Sequence, residues 1–234
     1  MKNTDSNQQK FSFSRINKTV LKLVKKVILR GKILELGSGE GGLTYYLNQE
    51  GFDVTASDLD PNNFRVDGVE CLKIDLEKKF DVPNNSYDCV ISVEAIEHLE
   101  DHFSFIRECN RILKPGGFMI VTTPNILNMA SRIRFFLTGF FTYNTRPNSE
   151  FERIPIYQHI NPINFYNLRY ILHTNGFTIH SVQTDRYRNS ALWLFFWYPI
   201  LYPFTFWTMK GDTDPRMEKV NRNIAKQILT KELL

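Results

Sequence analysis

The sequence predicts an α/β protein built on a doubly wound, mostly parallel sheet, and three observations carry the prediction. Ile33-Leu34-Glu35-Leu36 is a short strand that runs directly into Gly37-Ser38-Gly39-Glu40-Gly41-Gly42, and a helical pattern begins at once afterwards. A chain turning so sharply from strand to helix uses glycine because a Cβ would block both the turn and the close approach of a ligand. A second strand, Phe52–Asp58, ends on an acid nineteen residues past Gly39. Further strand-like runs at Glu70–Ile74, Tyr87–Val93 and Phe118–Thr123 alternate with helical stretches, the pattern of repeated strand–helix units.

The elements follow in order. Residues 1 to 13 are polar, have no apolar core of a secretory signal and read as a tail. From Asn17 to Leu29 the set Val20, Leu21, Val24, Val27 and Ile28 recurs at helical spacing, with Lys18, Lys22, Lys25 and Lys26 on other faces. That pattern fits a helix packed beside the sheet or one lying on a membrane surface. Helices are expected at Gly42–Glu50, near Pro61–Arg65 and at His102–Leu113, and strand five leaves through Pro124-Asn125. Residues 126–141 form an apolar, basic segment, Asn161-Pro162 reads as the cap of a helix from Ile163 to Gly176, and Phe177–Gln183 as a sixth strand.

Ala191–Met209 has no Asp, Glu, Lys or Arg and nine aromatic residues, including Trp193, Trp197 and Trp207. Pro199 and Pro203 weigh against a straight membrane span, and the Trp/Tyr density suits a membrane–water boundary, a substrate lid or pocket wall, or a buried hairpin. Met217–Leu234 reads as a polar amphipathic helix. No β-rich run is left for a seventh strand unless residues near 187 to 196 supply it. The expected organisation is therefore a tail and basic helix over 1–30, a catalytic-type α/β domain over 31–186 with a substrate-side insertion at 126–160, and an aromatic extension with a C-terminal helix over 187–234.

The length of 234 residues suits one such domain with elaboration. Cys71, Cys89 and Cys109 show no metal or disulfide spacing and read as small apolar fillers in a reducing, cytoplasmic setting. Residues 1 to 32 carry nine Lys/Arg against Asp5 alone, and Cys109–Ser149 holds five basic residues and no acid. Basic blocks of this kind favour an anionic membrane surface, peripherally at the inner face, or a phosphorylated substrate. No nucleic-acid motif accompanies them, so nucleic acid is not an expected partner.

The glycine loop fits two motifs. Gly37, Gly39 and Gly42 satisfy G-x-G-x-x-G, and Glu35 with Gly37, Gly39 and Gly41 satisfies E-x-G-x-G-x-G; either marks a nucleoside-type ligand at the tip of a first strand–helix unit. Asp58 ends its strand where a carboxylate accepts both ribose hydroxyls. Asp75-Leu76 puts a second acid and an apolar neighbour at the end of strand three. Glu94-Ala95-Ile96-Glu97-His98-Leu99 follows strand four, and Leu113-Lys114-Pro115-Gly116-Gly117 precedes strand five.

With these five pieces in order over residues 31 to 184, the chain resembles the class I S-adenosylmethionine-dependent methyltransferases. It is most similar to the branch containing ubiquinone-biosynthesis O-methyltransferases and methyltransferases of cell-surface glycan clusters. The resemblance implies a Rossmann-like fold, S-adenosyl-L-methionine as cofactor, and cofactor contacts at Glu35, Gly37, Ser38, Gly39, Gly41, Asp58, Leu59, Asp75, Leu76 and Ser92. The expected reaction is O-methylation of a small-molecule or lipid-linked acceptor, a glycan or quinone-like compound. A soluble acceptor and a non-catalytic cofactor-binding protein are the alternatives.

Glu94, Glu97 and His98, at i, i+3 and i+4, share one face of a helix or turn, so Glu97 and His98 are candidate catalytic residues, His98 as general base. The resemblance also allows such a trio a divalent metal, and a plain hydrogen-bonding cluster at a helix start is the bland alternative; no resident metal is the expectation. His159 is a second base candidate. His102, His173 and His180 read as surface or helix-end residues. Arg132, Arg134 and Arg146 are candidates for pairing with an acceptor phosphate or carboxylate, although arginines of this kind are more commonly solvated.

Overall fold

A computed structural model describes residues 11, 14–141, 151, 158–185 and 198–208. Its first helix, α1 (Arg15–Val27), is capped by Ser14, whose hydroxyl accepts from the Asn17 amide at 3.1 Å. The apolar face buries Val20, Leu21 and Val24, while Lys18, Lys22, Lys25 and Lys26 stay exposed. Of the two readings of this helix, the face that would have entered a membrane is thus already used in the core. Strand β1 (Lys32–Leu36) and helix α2 (Gly42–Gln49) flank the glycine turn. Strands β2 (Asp53–Asp58), β3 (Cys71–Lys73), β4 (Tyr87–Val93) and β5 (Leu113–Thr122) complete one five-stranded sheet in the order β3-β2-β1-β4-β5. β1 runs parallel to both β2 and β4, and β2 parallel to β3.

A strand paired on both edges and covered on both faces reads as a continuous apolar run. β1 obeys this: Ile33, Leu34 and Leu36 are fully buried. Ile33 joins a core with Val20, Val24, Leu43, Leu47, Val54, Cys89 and Ile91, against which Phe118 and Ile120 pack. Helix α3 (His102–Ile112) buries Phe105, Ile106 and Cys109. Contrary to the surface expectation, His102 is also buried.

Three boundaries differ from the sequence expectation. β5 starts at Leu113, not Phe118, because the Lys114 ammonium reaches back to both Asp88 carboxylate oxygens, at 2.9 and 2.8 Å, and draws this stretch onto β4. Gly117 suits it: a Cβ there would lie 2.9 Å from the Lys114 carbonyl oxygen and 3.1 Å from that of Asp88. Helix α5 (Phe165–Thr174) begins two residues later than predicted, capped by Asn164, whose side chain accepts from the Asn167 amide at 2.9 Å. Asn161 is engaged elsewhere, its side chain donating to the Leu99 and Glu100 carbonyls at 3.2 Å each. Phe177–Gln183 forms no strand.

The insertion contains helix α4 (Met129–Thr138), between its Asn128 cap and the left-handed Gly139. Of the aromatic segment, helix α6 (Tyr198–Thr208) is described, with Pro203 inside it; residues 191–197, Trp193 and Trp197 among them, lie outside the described residues, as do the tail, residues 187–196 and Met217–Leu234. No described helix is long and apolar enough to cross a membrane. The chain divides into two compact units, one running to Val93 and including Arg111–Ile120, the other comprising Glu94–Asn110 and the chain from Val121.

Gly41 shows how tightly the first unit is built. Its φ is 92°, and a Cβ there would fall 2.5 Å from Val66 Cγ2 and 2.6 Å from Phe64 Cε2. Gly41→Ala is therefore expected to lower unfolding stability by about 2 kcal/mol. Urea denaturation followed by circular dichroism reads this directly.

Candidate active site

The glycine loop leaves β1 where the strand order reverses, between β2 and β4, the position at which open α/β sheets bind ligands. Two successive amides, of Gly37 and Ser38, donate to the Ser57 carbonyl at 2.9 Å each, so the loop continues the β1–β2 ladder beyond the strand. The Gly39 amide then donates to Asp58 Oδ2 at 2.8 Å, and Asp58 Oδ1 accepts from the Asp60 amide at 3.1 Å. Gly37 and Gly39 have φ of 74° and 55°. Unlike Gly41, Gly39 has no protein atom within 4 Å of the point its Cβ would occupy, leaving the backbone approachable by a ligand.

Glu35 is the one acid of β1 and is buried. Burial raises its carboxyl to about 7, against the hydroxyl of Thr44, which donates to Oε2 and works in the opposite sense. At the end of β4, in register with Leu36, Ser92 is fully buried, and its hydroxyl has no hydrogen-bond partner. Leu59 is exposed and Leu76 half-buried. The Asp75 carboxylate binds Lys78 at 2.8 Å and accepts from the Glu77 amide at 3.1 Å; chiefly the Lys78 bond holds its carboxyl below the usual range. Approachable backbone at Gly39, carboxylates at Glu35 and Asp58 and an orphaned buried hydroxyl at Ser92 together fit a cofactor with a ribose and an amino acid end.

In the second unit, β4 gives way to Glu94 in a left-handed conformation, φ 50°, uncommon for a residue with a side chain. Thr122 holds it there: the Glu94 amide donates to the Thr122 hydroxyl at 3.0 Å, and that hydroxyl donates to Glu94 Oε1 at 3.1 Å. A single 3-10 turn, Ile96–His98, follows. The sequence spacing placed Glu94, Glu97 and His98 on one face, whereas the donor atoms that converge belong to Glu97, His98 and His159, all within 4.8 Å of one another. Residues 158–161 carry His159 there, because the Asn161 amide donates to the Glu97 carbonyl at 3.1 Å.

His98 Nδ1 lies 2.8 Å from the Gln158 carbonyl oxygen. A carbonyl only accepts, so Nδ1 carries the proton and the neutral ring keeps its lone pair on Nε2. The His159 ring stands edge-on to His98, centroids 4.8 Å apart; burial, with His98 as neighbour, lowers its basicity and keeps it neutral. Glu97 is 1% exposed, and neither carboxylate oxygen reaches hydrogen-bond geometry. Burial raises it to about 7, with its own backbone amide and the Thr123 hydroxyl pulling the other way. Glu94 is also raised to about 7, first by burial and then by the charge of Glu97. The cluster can take a proton at Nε2 of His98; its oxygen and two ring nitrogens are also donors a small divalent cation accepts.

A family model described as Methyltransferase domain matches residues 8–182. The chain belongs to this family. The family is that of the class I S-adenosylmethionine-dependent methyltransferases, and its cofactor is S-adenosylmethionine. Similar curated proteins include the ubiquinone biosynthesis O-methyltransferases of Caulobacter sp. (strain K31), 31% identical over 40% of this chain and 41% of that protein, and of Xanthomonas campestris pv. campestris, 32% identical over 43% and 46%. The match thus spans less than half of each relative. Among solved structures, an S-adenosylmethionine-dependent methyltransferase from Archaeoglobus fulgidus superposes with a TM-score of 0.57 at 18% identity, covering 92% of this chain and 86% of that one. A methyltransferase structure from Bacillus halodurans gives 0.56 at 19% identity over 70% and 71%. At these identities the structures speak for the fold.

Two participants in this methyltransferase escaped the sequence reading. Thr44, the partner of Glu35, was visible only as a hydroxyl on the apolar face of α2; Gln158 acts through its backbone carbonyl and leaves no side-chain signal.

Burial of Glu97 has a consequence for pH. Its folded value, about 7, exceeds the ordinary 4.5, so between these values the folded chain holds a proton that the unfolded chain has released. The stabilisation is complete below 4.5 and is lost as pH rises through 7. Glu97→Gln is therefore expected to melt a few degrees higher than wild type at pH 8 and nearly equal to it at pH 4. Differential scanning fluorimetry across that range measures it.

Proposed function

We propose that this methyltransferase O-methylates a hydroxyl of a lipid-linked or membrane-proximal acceptor, a glycan or quinone-like compound, with His98 as general base. The observation that carries the reading is the Nδ1 bond of His98 to the Gln158 carbonyl, which leaves Nε2 as the proton acceptor beside a buried acid. Bound S-adenosylmethionine supplies a methyl group already activated by the positive sulfur. The protein is left to align the acceptor oxygen and to receive its proton.

In that reading Glu35 and the loop at Gly37, Ser38, Gly39 and Gly41 serve the amino acid end of the cofactor, Asp58 the ribose, and Leu59, Asp75 and Leu76 the adenine, with Ser92 under the loop. His98 Nε2 takes the hydroxyl proton as the new carbon–oxygen bond forms. Glu97, once ionised, stabilises the resulting imidazolium, and the neutral His159 packs the ring in place.

The lipidic acceptor is supported by the names of the similar ubiquinone-pathway proteins and by exposed apolar side chains. Phe136 and Leu137 of α4 are 87% and 71% exposed, and Phe204 and Trp207 of α6 are 62% and 67% exposed. With the lysines of α1 these features suit peripheral contact with an anionic membrane surface from the cytoplasmic side.

Transfer of labelled methyl from S-adenosylmethionine into a total lipid extract, with an aqueous extract in parallel, tests both parts. Label is expected in the lipid arm, and His98→Ala should reduce its rate by about 100-fold or more while S-adenosylhomocysteine affinity is unchanged. Label confined to the aqueous arm overturns the lipidic acceptor, and undiminished transfer by the variant overturns the base.

A further inference from the structure

Among the described residues, no carboxylate neutralises one cation of helix α4. Arg132, in the first turns after the Asn128 cap, folds its side chain back past the start of the helix, and its Nε donates to the Leu127 carbonyl at 2.7 Å. The residue is half-buried, and that burial lowers its basicity from the ordinary arginine value. Among the described residues this is the only hydrogen bond of its side chain, and no carboxylate pairs with it. Arg111 makes the contrast: its guanidinium donates to the Val82 carbonyl, the Asn84 side chain and the Phe80 carbonyl at 2.7, 2.8 and 3.0 Å.

The location is unfavourable as well. The N-terminal end of a helix is the positive end of its dipole, where acids stabilise and cations do not. The first turn of α4 contains no acid, and Cys109–Ser149 as a whole contains none. A guanidinium that has lost water, lies at the positive end of a helix and lacks a counter-charge is disfavoured on each count. An oxyanion brought in by a ligand relieves all of them, because the two Nη groups form a fork matching a carboxylate or phosphate.

The residue also belongs to the neighbourhood of the base. Leu127, which Arg132 touches, lies four residues beyond Thr123, whose hydroxyl borders Glu97. Four residues span at most about 14 Å. The turn between them is folded further, with the Leu127 amide on the Asn125 side chain at 3.0 Å and the Asn128 side chain on the Asn125 carbonyl at 2.7 Å.

We propose that Arg132 is the specificity-determining anchor of the acceptor site, binding a carboxylate or phosphate carried by the acceptor at some remove from the hydroxyl that is methylated. This rests on the methyltransferase reading and narrows the acceptor to an anionic compound. The group held is an oxyanion on the substrate itself, and the reacting oxygen is left to His98.

The test uses the full-length chain saturated with S-adenosylhomocysteine, so that the glycine loop is filled, and titrates inorganic phosphate and benzoate separately by calorimetry at low ionic strength. At least one probe should bind to wild type and weaken on addition of salt; phosphate alone points to a phosphorylated acceptor and benzoate alone to a carboxylated one. Arg132→Met should weaken that probe about tenfold or more. Arg132→Lys, which keeps the charge but not the fork, should recover only part of it. Both variants should bind S-adenosylhomocysteine as wild type does, which also shows them folded. Failure of both probes to bind wild type, or equal binding by Arg132→Met, overturns the anchor. Failure of wild type to bind S-adenosylhomocysteine instead overturns the methyltransferase reading beneath it.

Discussion

The parallel pairing of β1 between β2 and β4 is the constraint on which the rest depends. Because β1 is paired on both edges and covered on both faces, Glu35 is buried on the face opposite Leu34 and Leu36 and must find a donor, which is Thr44. Because the order of strands reverses beside it, the end of β1 opens into the crevice where such sheets bind ligands. The same pairing sets the shape of the loop. Ser57 anchors it through its carbonyl to Gly37 and Ser38 and through its hydroxyl, at 2.9 Å, to the Glu35 carbonyl. The amides of Gly37, Ser38, Gly39 and Gly41 all donate within the protein, so in the proposed site the loop offers a ligand the open backbone at Gly39 and the flanking carboxylates.

The two units handle their acidic side chains in different ways. In the first, Glu35 has a hydroxyl partner and Asp88 has the Lys32 amide and Lys114, so its acidity is increased, chiefly by Lys114. In the second, Glu94 and Glu97 are raised together, mostly by burial, and among the described residues neither Glu97 carboxylate oxygen has a partner in hydrogen-bond geometry. A buried carboxyl without a well-formed hydrogen bond costs stability, and that cost falls beside the histidine proposed as the base.

Much of the scaffold was legible in the sequence because it rests on local rules. Glycine at 37, 39 and 41 marks left-handed backbone, alternating apolar runs mark β2 and β4, and the period of Val20, Leu21 and Val24 marks the buried face of α1. Gly39 and Gly41 nevertheless differ: Phe64 and Val66 crowd Gly41, whereas the space beside Gly39 is open, and spacing alone does not distinguish the two. Errors arose where a distant partner decided. Asn161 reads as a helix cap but is claimed by the Leu99 and Glu100 carbonyls, and the onset of β5 is set by Asp88, 26 residues away from Lys114. Helical spacing grouped Glu94 with Glu97 and His98; the left-handed turn at Glu94 sends the chain another way, and His159 arrives next to Gln158, itself 60 residues beyond His98.

The central claim is that the loop following β1 is the cofactor site of a methyltransferase, and Gly39 gives the most direct hold on it. An alanine there would meet no protein atom, so the fold should tolerate it apart from the cost of a left-handed backbone, about 1 kcal/mol. Its methyl group would stand where the ligand must approach. Calorimetric titration of wild type and Gly39→Ala with S-adenosylmethionine, on samples matched for helicity, should give one site per wild-type chain and binding weakened about tenfold or more in the variant. Wild-type chain that binds no S-adenosylmethionine, or a variant that binds it equally well, would contradict the account.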